Sequence, residues 1–176
     1  MGIVASRHLS AAELQQIQTE SGFSPHRIDY LHGQYESLER DDEGRVLRSE
    51  LLKVPPVAAH PLGQRLVDVY LHPSCGFQHF MHGLSRFRRS ASLERKLQAI
   101  LRMYDSDGDG LLSAAQCDEL LGQLPATRRE LRAMRWKLKA VMEQQQGRQQ
   151  GYVTGEDLAY ITRGVDLDQS LSLRFN

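Results

Sequence analysis

A chain of 176 residues, 40% apolar and 25% charged, is long enough for one ordinary domain or two small lobes with a buried core. Its 22 Lys and Arg balance its 22 Asp and Glu, so no global positive field points to nucleic acid as a partner. The apolar runs fall far short of the ~20 residues that cross a bilayer, and Arg7, His8, Glu13 and Glu20 break any secretory core after Met1.

Taken in chain order, the opening Met1-Gly2-Ile3-Val4-Ala5-Ser6 matches the acceptor pattern for myristoylation of Gly2. Ser10-Ala11-Ala12-Glu13 predicts a helix start, because the serine oxygen and the glutamate can each satisfy an orphan backbone donor. Ser24-Pro25 predicts another, with proline in the first turn where its missing N–H costs nothing. In that helix Ile28, Leu31, Tyr35 and Leu38 fall three and four apart, on one face. Leu62, Leu66, Val69 and Tyr70 repeat the spacing, as do Leu93, Leu97, Ile100, Leu101 and Tyr104. Thr127-Arg128-Arg129-Glu130 caps a later helix whose Leu131, Met134, Leu138, Val141 and Met142 form its inward stripe. These stripes read as core.

The loops between the helices carry the chemistry. In "YDSDGDGLLSAAQ", Asp105, Asp107 and Asp109 hold the first, third and fifth places of a twelve-residue frame. Gly110 is sixth, where the chain turns sharply, and Leu112 eighth, where it pairs with a neighbouring loop. Calcium is a hard ion that takes six to eight oxygens. The three aspartates, the Leu111 carbonyl, Ser113 through a water and Gln116 at the twelfth place form the candidate ligand set. Gln116 stands where a glutamate would give two oxygens and a charge, and Ser113-Ala114-Ala115-Gln116 is itself a capping box. At most one weak calcium site is expected.

The other loops fit the frame less well. Glu39 to Glu50 has Asp41, Glu43, Gly44, Val46 and Glu50 in register, but Glu39 is a methylene too long for the first place and Leu47 cannot hold a water. Setting Val153 opposite Leu112 gives a frame from Gln146 to Asp157, with Gly151 sixth and the non-ligands Gln146, Arg148 and Gln150 at the ligand places. "VYLHPSCGFQHF" is about three residues too short for the frame. Its His72, Cys75, His79 and His82 resemble a zinc set, but Cys75 falls at a core-facing place and His79 and His82 on a polar face opposite Phe80 and Leu84. A buried thiol and exposed imidazoles are expected instead, and the pair Cys75 and Cys117 suits a reducing cytosol better than a disulfide framework.

The predicted fold class is all-α: four EF-hand helix–loop–helix units in two lobes, with short paired β-bridges between loops. The expected boundaries are an N-terminal segment over 1–23, lobes over 24–89 and 90–165, and a tail over 166–176.

"ESGFSPHRIDYLHGQYESLE", "HPLGQRLVDVY" and "GVDLDQSLSLRF" resemble calcineurin B and the calcineurin B homologous proteins, from about Glu20 to Phe175. The tail is similar to the homologous proteins that bind Na⁺/H⁺ exchangers, and the short "RFRRSASLERKL" connection is closer in length to calcineurin B. The resemblance implies a myristoylated, cytoplasmic, non-enzymatic regulatory subunit, peripheral at membranes, whose apolar groove takes an amphipathic helix of a larger protein. A transporter helix comes first, an acyltransferase segment second, and a phosphatase catalytic subunit is the alternative. It also implies two competent C-terminal loops, where this sequence offers one. A calcium sensor that opens on ion binding is the competing reading. An independent enzyme has no glycine-rich phosphate loop or nucleophile–base set to support it.

Overall fold

The computed structural model describes residues 8–145 and 151–175. Gly2 and the Gln146–Gln150 half of the fourth loop lie outside the described residues. The chain divides into two compact units, Met1–Arg88 with Leu173–Asn176, and Arg89–Ser172.

In the first unit, α1 (Ala11–Ser21) starts as predicted: Ser10 accepts from the Glu13 amide while Glu13 accepts from the Ser10 amide. It packs on α6 (Phe77–Ser85) and on α2 (Pro25–Glu36) within the first unit. Gly22 ends α1 at φ 69°, and a Cβ there would strike the Arg88 guanidinium, whose Nη1 donates to the Ser21 carbonyl at 2.6 Å. A bare backbone thus lets a cation reach the negative end of the helix.

The first unit continues through two single turns, α3 (Arg48–Leu51) and α4 (Pro55–Ala58), to α5 (Gly63–Tyr70). The inward face of α5 is Gly63, Leu66, Val67 and Tyr70, with Gly63 pressed against the Val57 carbonyl. Val69 was expected in this stripe and is instead 40% exposed. It sits about 100° round the helix from Tyr70, and the close approach at Gly63 rotates the buried face away from it.

The second unit holds α7 (Leu93–Tyr104), α8 (Ala114–Gln123), α9 (Arg128–Gln144) and α10 (Gly155–Thr162). β1 (Leu112–Ser113) and β2 (Tyr152–Val153) join its two loops as an antiparallel pair, with Leu112 opposite Val153 as predicted. The four helix–loop–helix units and this bridge form an all-α EF-hand fold. No helix among the described residues is long and apolar enough to cross a membrane.

The tail expected over 166–176 divides between the units. Residues 166–172 belong to the second, where Leu167 and Leu171 are buried. In the first unit the Leu173 amide donates to the Phe87 carbonyl at 2.8 Å, and Phe175 packs edge-on to Phe23 under the Arg27 guanidinium. Lys96, a charged residue on the apolar face of α7, is 0% exposed. Its ammonium donates to the Asp168 carboxylate at 2.7 Å, the Asp168 carbonyl at 3.1 Å and the Ser172 hydroxyl at 3.0 Å.

Asp168→Ala takes one charged acceptor from a buried ammonium and should cost about 1.5–3 kcal/mol in urea unfolding monitored by circular dichroism. Lys96→Met, which removes charge and donors together, should cost less than a Lys96→Ala change that also leaves a void.

Candidate functional site

Asp105 closes α7 with extended backbone, and the chain then turns through Gly108 and Gly110, at φ 75° and 80°. Only glycine takes such angles without strain, and the turn at Gly110 folds the loop back over its own carboxylates. One oxygen from each of Asp105, Asp107 and Asp109 lies within 4.8 Å of the others. Ligands on opposite sides of a calcium ion stand about 5 Å apart at ordinary Ca–O distances, so the cluster fits that ion. It is the only such His, Cys, Asp or Glu group among the described residues.

The backbone already holds these carboxylates in place. Asp105 accepts from the Gly108 and Gly110 amides, both at 2.8 Å, and Asp109 from the Leu111 amide at 2.8 Å. Partial burial pushes the Asp105 carboxyl up, but the Gly110, Asp107 and Gly108 hydrogen bonds outweigh it and hold the group below its ordinary value. Asp107 is raised, chiefly by its hydrogen bond with Asp105. The two acids compete for one proton, as crowded carboxylates do.

Gln116 is turned to other work. Its Oε1 accepts from the Ser113 amide at 2.9 Å, and its Nε2 donates to the Ser106 hydroxyl at 3.3 Å. Ser113 in turn accepts from the Gln116 amide at 3.1 Å, completing the capping box of α8. Ser113 and Gln116 therefore lie beside the acidic cluster as a helix cap that also ties the loop across its width, while Leu111 places its carbonyl at the seventh position.

The first loop has a different occupant. Arg45 donates through Nε to Asp41 at 2.8 Å and stands 3.0 Å from Glu43 through Nη1. Asp41 also accepts from the Arg45 and Glu43 amides, and these bonds, Arg45 first, hold its carboxyl below the usual range. A half-exposed guanidinium thus pairs with two of the loop's carboxylates. Glu50, at the twelfth place, is bonded to Lys53, which lowers its carboxyl. The Arg40–Val46 bridge closes this loop on itself. Arg45 was missed in the sequence because the seventh place contributes only a carbonyl to the frame. The signal available was a long cation two residues after one acid and four after another.

In the fourth loop the twelfth residue, Asp157, accepts from the Thr154 amide and hydroxyl, both at 2.9 Å, as another cap. In the second, six residues separate α5 from α6, where nine separate α7 from α8. His79 and His82 are exposed, as expected. Cys75 is half-buried where a buried thiol was expected: its carbonyl takes the Tyr35 hydroxyl at 2.9 Å, which fixes the loop by its backbone.

No protein-family model matches the chain. Curated relatives do. The chain is 28% identical to calcineurin B of Schizosaccharomyces pombe over 90% of its own length and 93% of that protein. It is 24% identical to calcineurin B of Naegleria gruberi over 94% and 96%. With calcineurin B of Yarrowia lipolytica the identity is 36%, over 58% of the chain and 61% of the relative. The chain is similar to calcineurin B over most of its length. In the Yarrowia alignment it spans about three fifths of the relative's length.

Titration calorimetry should show one calcium site with Kd of roughly 10⁻⁵–10⁻³ M, abolished by Asp105→Ala and tightened by Gln116→Glu. Two sub-micromolar sites would contradict the loop geometry. Cysteine chemistry gives a second check. Burial pushes the Cys117 thiol up to about 12, so near pH 8 a thiol reagent should titrate Cys75 alone until the protein is unfolded.

Proposed function

We propose that this chain is a non-catalytic regulatory subunit that binds an amphipathic helix of a larger protein, largely independent of calcium. The observation that carries this reading is the state of the loops. Among the described residues one loop gathers three carboxylates, and its twelfth side chain is engaged in a cap. The first loop contains its own arginine. A ligand shifts an equilibrium only by its differential affinity for the two states, so a weak ion held without the twelfth carboxylate has little leverage on α8.

Where calcium binds, Asp105, Asp107 and Asp109 would hold it, with the Leu111 carbonyl, Ser113 through a water and the Gln116 amide oxygen completing the set. The ion would neutralise the acidic cluster and stiffen the turn. Within the second unit the tail residues Leu167 and Leu171 are buried. A cavity of about 360 Å³ in the first unit, lined by Leu9, Ile17, Tyr35 and Phe77 together with Glu13 and Arg40, is large enough for an anchoring side chain of a partner helix.

The relatives' shared name, which makes each of them part of calcineurin, favours a phosphatase catalytic subunit as the partner class. The tail "GVDLDQSLSLRF" favours a transporter helix of the Na⁺/H⁺ exchanger kind. Myristoylation at Gly2 and a cytoplasmic, membrane-peripheral location belong to the same reading, since one acyl chain gives only marginal binding without a second contact.

Fluorescence anisotropy with labelled helices of the phosphatase, exchanger and acyltransferase classes tests it. One class should bind with affinity in calcium and in chelator equal to within about threefold. A gain of roughly a hundredfold in calcium, lost in Asp107→Ala, would make the protein a sensor.

A further inference from the structure

The chain as a whole is neutral, but its charge is not evenly placed. The seventeen residues of α9, "RRELRAMRWKLKAVMEQ", carry six of the 22 basic residues. Met134, Leu138 and Val141 face the core, and Lys137 lies at a flank, donating to the Arg163 carbonyl at 2.6 Å. At about 100° per residue, Arg128, Arg132, Arg135 and Lys139 fall within about 60° of arc on the outward side, with Trp136 and Arg129 beside them. Arg135 is held by Asp118 at 2.7 Å, and Lys139 stands 3.8 Å from Glu143. Arg128, Arg129 and Arg132 make no ion pair with any described residue.

Trp136 is the chain's one tryptophan and is 70% exposed. A solvated helix face ordinarily interleaves both charge signs and does not leave an indole in water. Of the two acids in α9, Glu130 is engaged in the Thr127 cap and Glu143 lies at the far end.

We propose that this face of α9 docks on anionic phospholipid bilayers. Arg128, Arg129, Arg132 and Lys139 would meet the headgroup phosphates and carboxylates, and Trp136 would enter the headgroup boundary. A cation row about 16 Å long on one side of a helix suits a planar charged sheet. The bilayer interface also accommodates an indole, with its ring in the acyl boundary and its N–H among polar groups. A partner helix would need a concave apolar groove, and this face is a convex row of cations. A nucleic acid would draw on the same cations, but α9 carries one aromatic residue, Trp136, and so offers no run of stacking platforms for successive bases. The surface is independent of Gly2 acylation and of the helix-binding reading above.

The single tryptophan makes the surface its own reporter. Full-length, unacylated protein would be mixed with vesicles of phosphatidylcholine alone, or with about one-third phosphatidylserine, and read by Trp136 emission and co-sedimentation. The expected result is a blue shift and sedimentation with the anionic vesicles only, both reversed by salt as screening shortens the range of attraction. Replacing Arg128, Arg129 and Arg132 with Gln should weaken partitioning on the order of a hundredfold, while the triple Lys variant keeps it within severalfold. Equal response to neutral vesicles, or undiminished binding by the Gln variant, overturns the proposal. So does an emission shift given by single-stranded RNA and not by the vesicles.

Discussion

The fold of the second unit turns on one buried ammonium. Lys96 sits on the apolar face of α7 with no access to water, and such a charge is tolerated only when its donors are satisfied. Its acceptors come from Asp168 and Ser172, four residues apart. Those groups converge only if the tail makes a helical turn, and the Leu171 amide donates to the Leu167 carbonyl at 2.9 Å to make it. The same turn points Leu167 and Leu171 inward. A polar requirement therefore fixes where the apolar residues of the tail go.

A second constraint recurs at the twelfth loop position. That residue begins a helix, so its side chain can reach back to the cap or inward to an ion. In Gln116 both amide atoms are used, one on the Ser113 amide and one on Ser106. In Asp157 the carboxylate takes two hydrogen bonds from Thr154. Glu50 is bonded to Lys53. The first two give α8 and α10 a capped start without metal, while α3 has no side-chain cap. The geometry of an EF-hand persists where the twelfth side chain is engaged elsewhere.

Much of this was legible in the sequence, and the misses share a cause. The Ser10, Ser113 and Thr127 caps, the glycine turn of the third loop and the Leu112–Val153 pairing depend on residues close in sequence or on a repeated frame. Local grammar is enough for these. Lys96 was passed over because its acceptors are 72 and 76 residues away. Val69 was misplaced because the rotation of α5 is set by Gly63 meeting Val57 in another element. Arg45 was invisible because the frame assigns no role to the seventh side chain. Cys75 is half-exposed because a loop too short for the frame is held by its carbonyl and not by its thiol.

The first and third loops show two ways of balancing the same negative charge. Arg45 supplies a fixed cation to Asp41 and Glu43, so the first loop keeps its shape whatever the surrounding ions. The third loop has no such residue, and Asp107 is raised because it shares a hydrogen bond with Asp105. A carboxyl raised in the folded state adds stability when protonated, and that contribution is lost as pH rises through its folded value. Near neutrality the ion-free loop therefore carries unrelieved repulsion that either a proton or a metal cation would remove. Among the described residues the carboxylate cluster lies in the loop without a paired cation, and the Gln116 cap occupies the side chain at its twelfth place.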